Sequence, residues 1–211
     1  MQRLRITFAK TAAMQYTGHL DLHKTWERTL RRARLPLAYS EGFNPHPKIQ
    51  LAAALPLGFT SSCEMVDLWL ETPQPLGPAR AALERAVPPG IVIAEVAEVP
   101  ATSPSIQTQV TATEYRVVWL ASVDMEDLKA RVAALLAADT LPRVRREKGY
   151  DLRPLIEALT LEDAAADAPN LVMRLAAREG ATGRPEEVVD ALGWPPASAA
   201  YHRQRIFLAE G

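Results

Sequence analysis

Seventeen prolines in 211 residues limit this chain to short elements. They come in clusters: Pro36, Pro45/Pro47, Pro73/Pro75/Pro78, Pro88/Pro89 and Pro195/Pro196. Proline removes a backbone donor and blocks a helix interior, so each cluster ends one element before the next begins. Between the clusters the pattern alternates between two periods. Residues 3–10 place Leu4, Ile6 and Phe8 against Arg3, Arg5 and Lys10, which predicts a half-buried strand. Residues 19–34 place Leu22, Trp26, Leu30 and Ala33 on one helical face. Strands are expected at 37–40, 49–55, 65–71 and 91–99, with a helix at 78–87. Residues 101–112 are polar and rich in Pro, Ser and Thr, which predicts a linker or a crossing strand. The order then recurs: a strand at 115–121, a helix at 125–138, strands at 143–146, 152–161 and 171–178, a helix at 184–193 and a strand at 201–209. Each half reads strand–helix–strands–helix–strand. The expected fold is α+β, as two tandem ferredoxin-like (βαββαβ-type) halves with an extra strand each. The domains would be 1–100 and 113–211. A single α+β domain with one mixed sheet is the alternative.

The formal net charge is −1, which excludes a chain basic over its whole surface. The charge is nevertheless uneven. Residues 1–50 hold nine Lys/Arg and three Asp/Glu, a net of +6, and three of the four histidines. The lone cysteine, Cys63, allows no internal disulfide and no self-held iron–sulfur cluster or Cys-rich zinc site. The N-terminus lacks a signal-peptide apolar block, and no apolar run reaches the ~18 residues of a membrane span. A cytoplasmic protein with no membrane partner is expected.

Five groups carry chemistry. His19 and His23, at i and i+4 around Asp21, share a helix face and could ligate zinc if His46, Asp21 or Cys63 converged; otherwise they cap and pack the helix start. The loop Ser40–Lys48 is the densest group. Pro45 and Pro47 stiffen His46, Gly42 permits positive φ, and Tyr39, Phe43, Asn44 and Lys48 supply aromatic faces, an amide and a cation. Its alternative is a turn anchored to the core by Phe43. Lys24, Arg28 and Arg31, with Arg32 and Arg34 beyond and Arg3 and Arg5 nearby in sequence, could neutralise phosphates, or form a solvated face with pairs such as Glu27–Arg31. Residues 143–153 combine Arg143, Arg145, Arg146 and Tyr150 with Asp151 and Arg153 at strand spacing; a charged edge strand is the alternative. His202 and Arg203 sit on the closing strand. GxGxxG, GxxxxGK[ST] and GxSxG motifs are absent from the sequence.

The stretch from Gly18-His19-Leu20-Asp21-Leu22 through the Arg-rich helix to Ser40-Glu41-Gly42-Phe43-Asn44-Pro45-His46-Pro47-Lys48 and Leu55-Pro56-Leu57-Gly58 resembles the family of radical-SAM-linked proteins. The second half agrees more loosely, at Lys148, Asp151 to Ile156, Gly183-Arg184-Pro185 and Tyr201-His202-Arg203. Gly18 stands where the family usually has Ser, and His23 where it has an apolar residue. His23 loses weight as a metal ligand on that account. The resemblance implies a partner that is a radical S-adenosylmethionine protein, fused or adjacent in relatives, with gene neighbours that hint at RNA. It implies an accessory or substrate-presenting role with no cofactor on this chain. The alternatives are a stand-alone RNA-binding or RNA-processing protein, with His46 as acid or base, and a metal-dependent hydrolase on His19, Asp21 and His46.

Overall fold

A computed structural model describes residues 1–145, 147–162 and 169–209. Arg146, included in the sequence motif at 143–153, lies outside the described residues. The chain is mixed α+β, with mostly antiparallel sheet and, among the described residues, five α-helices. It divides into two compact units, Met1–Val110 and Thr111–Gly211.

The first unit runs β1 (Gln2–Lys10), α1 (His19–Ala33), β2 (Ile49–Leu51), β3 (Thr60–Leu70), α2 (Leu76–Ala86), β4 (Ile91–Val99) and a four-residue helix α3 (Ile106–Gln109). Its strand order is β4-β1-β3-β2, each neighbour antiparallel. Leu4, Ile6 and Phe8 of β1 meet Val66, Leu68 and Leu70 of β3 under Leu22, Trp26 and Leu30 of α1 and Leu83 of α2. The Phe8 and Trp26 rings meet edge-on at 4.8 Å. Each such side chain contributes about 1.5–3 kcal/mol when taken from water.

The cations of β1 depart from the half-buried reading. Arg3 is 1% exposed and Lys10 0%. Both Arg3 and Arg5 donate to Asp67 of β3, itself 0% exposed, at 2.6–3.0 Å. Arg3 also donates to the carbonyls of Ser103 and Pro104 and lies over the Trp69 ring at 4.8 Å. Lys10 donates to the carbonyls of Gln15 and Phe59. Their charge marked these cations as solvent-facing, but Arg3 and Lys10 are buried where a carboxylate or carbonyls receive them, and Arg5 is half-buried against Asp67.

The second unit runs from β5 (Val110–Trp119) through α4 (Met125–Ala137), the hairpin β6 (Pro142–Arg145) and β7 (Lys148–Asp151), β8 (Ile156–Glu162), β9 (Asn170–Arg178), β10 (Ala181–Thr182) and α5 (Pro185–Ala191) to β11 (Ala199–Leu208). β5 lies between β11 and β9. β8 and β10 both pair with β9, along different stretches. Asp124 caps α4 by accepting from the Asp127 N–H, as its side chain at an N-cap should.

Candidate functional site: a basic helix and an aromatic loop

α1 amphipathicity fixes which cations face water. Leu22, Trp26 and Leu30 point inward, which leaves Asp21, Lys24, Arg28, Arg31 and Arg32 exposed. Gly18 occupies the N-cap and Asp21 lies in the first turn, where its charge suits the helix dipole. The expected Glu27–Arg31 pair does not form. Glu27 instead approaches His23 Nδ1 at 3.4 Å. Among the described residues, Lys24, Arg28, Arg31, Arg32 and Arg34 make no ion pair. His19 is half-buried as the first helical residue.

The loop after α1 projects into solvent from a hydrogen-bonded base. The Ser40 N–H donates to the His46 carbonyl at 2.8 Å, and the His46 N–H donates to Ser40 Oγ at 3.0 Å. Tyr39 bridges Pro47, and the Lys48 N–H donates to Ala38 O. Lys48 O in turn accepts from Trp69 N–H, which ties the base to β3. Gly42 takes φ +123°, a value that side chains rarely adopt. Phe43 stands at the tip with 107% relative exposure. Its anchoring to the core is thereby overturned: Pro47, not Phe43, is the buried residue of the loop. Tyr39, Asn44 and His46 are also exposed, and Lys48 is half-buried.

The remaining predicted residues do structural work. Asp151 accepts from the Leu141 and Arg153 N–H groups. Arg153 donates to the carbonyls of Leu136 and Ile156, so it ties the end of α4 to the start of β8. Arg203 is 1% exposed and donates to the Tyr115 hydroxyl from Nε and Nη2, so it offers no surface cation. His202 is half-buried on β11. Arg3 and Arg5, considered for phosphates, are held by Asp67. Among the described residues, no three His, Cys, Asp or Glu side chains converge as a metal site would require.

A cluster in the second unit was not legible as one. Arg145 forms a bidentate pair with Glu187 at 3.0–3.2 Å, and the Tyr150 hydroxyl donates to the same carboxylate. Burial and the Glu187 charge push the Tyr150 phenol up to about 12. Burial also raises the Glu186 carboxyl above its ordinary range. The Arg-rich stretch and the Glu pair lie 37 residues apart at Tyr150 and Glu187, and only tertiary packing joins them.

Among solved structures, the fold resembles a chain of the crystal structure of a Cbf5-Nop10-Gar1 complex, at TM-score 0.52 and 11% identity, over 98% of this chain and 50% of that one. A chain of the archaeal box H/ACA sRNP Nop10-Cbf5 complex matches at TM-score 0.42 and 10% identity, over 90% of this chain and 45% of that one. The chain thus spans half or less of the length of these structures. No curated protein matches the sequence. A family model matches residues 3–185, which is most of the chain: this chain belongs to the family described as "Uncharacterized protein conserved in bacteria (DUF2344)".

Proposed function

We propose that the chain is an RNA-binding accessory protein whose first unit presents single-stranded RNA to a partner enzyme. One observation carries the reading: a fully exposed Phe43 on a loop fixed at its base. An exposed phenyl ring forgoes the about 1.5–3 kcal/mol that burial supplies. Stacking on a base recovers about 1–3 kcal/mol, and every base offers a face. Tyr39 is a second aromatic on the same loop. Lys24, Arg28 and Arg31 of α1, which have no ion pair among the described residues, supply phosphate contacts. Asn44, His46 and Lys48 supply polar contacts to base edges or sugars. The other half of the reading is the partner, a radical S-adenosylmethionine protein, which the sequence resemblance supports. Cys63 alone cannot hold that enzyme's cluster. A docking surface for the partner is supported by Tyr16, Leu20 and Leu57, all exposed, where the Gly58 N–H donates to Gln15 O. We also propose a ferredoxin-like fold for both units. What supports it is that in each the first strand lies between the third and the fourth, if β5, β8, β9 and β11 are taken as the four of the second unit.

Binding of a fluorescent oligouridylate as a function of salt tests the RNA half. Affinity falls steeply with salt, and Phe43→Ala weakens it by about 1–3 kcal/mol, roughly 5–150-fold, with unchanged thermal stability. Absence of binding at low salt rejects the proposal.

A further inference from the structure

We infer that the groove between α1 and α2 is a phosphate-binding subsite that carries the RNA backbone onward from the exposed face of α1. The groove has a volume of about 400 Å³ and is lined by Arg32, Arg34 and Arg85, with Val87, Pro88 and Pro89 among its apolar walls. All three guanidinium groups are exposed and none has a carboxylate partner among the described residues. Glu84, the nearest acid in sequence to Arg85, is taken by Arg80 at 2.7 Å, and no acidic residue lines the groove among the described residues. Three positive side chains around one concavity repel one another unless an anion joins them. A planar guanidinium matches a phosphate with two parallel N–H donors, which makes arginine the suitable residue type.

Arg34 adds an independent observation. It ends α1 in the left-handed conformation, at φ +54° and ψ +35°. Glycine is the residue that takes this position without strain. An arginine in the strained place puts a third cation at the groove. Electrostatic help for the two helix ends accounts for cations near their last carbonyls. It does not account for a cation at the one cap position where glycine would be more stable.

The path follows from helix periodicity. Arg28 and Arg32 are one turn apart on α1, and the Arg34 N–H donates to the Arg31 carbonyl at 3.2 Å just past the helix end, so the α1 face that meets the first phosphates leads into the groove. If no RNA is bound there is no backbone to carry, so the assignment rests on the RNA reading of the first unit.

The test uses the full chain, a single-stranded oligouridylate and three proteins: wild type, the groove variant Arg32→Gln/Arg34→Gly/Arg85→Gln, and the face variant Lys24→Gln/Arg28→Gln/Arg31→Gln. Each lost contact to a single strand removes about 0.7 from the slope of log affinity against log salt. The groove variant is expected to bind more weakly, with the slope reduced by about 2. Arg34→Gly alone is expected to raise the melting temperature by ~2 °C while lowering affinity, the signature of a residue kept for function at the expense of stability. Wild-type binding with an unchanged slope in the groove variant overturns the subsite and leaves the RNA reading standing. An unchanged face variant beside a weakened groove variant overturns the α1 path but supports the groove. Wild type that binds no oligouridylate overturns both, and inorganic phosphate that still raises its melting temperature through the three arginines then assigns the groove to a small anion instead of RNA.

Discussion

The two units handle their positive charge differently. In the second, Arg116, Lys129, Arg131, Arg143, Arg145 and Arg174 each stand within 3.5 Å of a carboxylate. In the first, Arg3 and Arg5 are held by Asp67, while Lys24, Arg28, Arg31 and Arg32 of α1 have no acid partner among the described residues. The first fifty residues therefore contain two populations that a charge count adds together. One is interior and neutralised, and the other faces solvent. Only the second population can release counterions from a nucleic acid. The lesson is that a net of +6 over a segment overstates its working charge until the buried cations are subtracted.

The largest effect that separates the two populations is expected at Asp67. Asp67→Ala leaves Arg3 buried beside an empty place, and loss of one partner of a buried pair typically costs about 3–5 kcal/mol. Urea denaturation measures it. A loss under 1 kcal/mol would place Arg3 with the solvent-facing cations and break the comparison.

The alkaline limb of stability sharpens it from the other side. The folded Tyr150 phenol titrates at about 12 against an ordinary 10. The native state therefore holds a proton that the unfolded chain gives up first. The stabilisation is complete below pH 10 and is lost as pH rises from 10 to about 12. Tyr150→Phe should flatten the fall in melting temperature across that window. An identical fall in wild type and variant would remove Tyr150 and Glu187 from the paired network.

The smallest effect is expected at an exposed pair. Arg116 and Glu162 are each 43% exposed and 3.0 Å apart. Arg116→Ala should change stability by less than about 1 kcal/mol and leave RNA affinity unaltered. A loss of affinity as large as that of an α1 variant would show that paired cations also serve binding.

Much of the fold was legible because the apolar periods were clean. The strand expected at 91–99 is β4, and the helix expected from Met125 is α4 to within one residue. β3 begins five residues before its predicted start. Thr60–Glu64 carries Ser61 and Glu64, polar residues buried in the folded unit, and polar burial has no periodic signal. The strand at 37–40 is reduced to isolated bridges at Leu37 and Tyr39, since Pro36 and Pro47 interrupt the ladder. The hairpin β6–β7 appeared in the sequence only as an edge strand. Helix α3 and β10 are too short for any periodicity to register. At the candidate site, the prolines marked 39–48 as an irregular loop, and its base is closed by the Ser40–His46 and Lys48–Ala38 hydrogen bonds. The exposure of Phe43 was not legible, because an aromatic residue is usually buried. Neither was the arginine groove, since Arg85 comes from a helix 51 residues beyond Arg34 and nothing local marks them as neighbours.

Arg3 also bears on where the chain can be divided. Two of its acceptors, the carbonyls of Ser103 and Pro104, lie beyond Pro100, where composition alone would end the first domain. A fragment stopped at Pro100 leaves those guanidinium protons buried without their carbonyl acceptors and loses Ile106, which is fully buried. A fragment carried through Val110 keeps both. For anyone who dissects the protein by limited expression, ten residues of seemingly dispensable tail decide whether the first half is isolated with its interior charges satisfied.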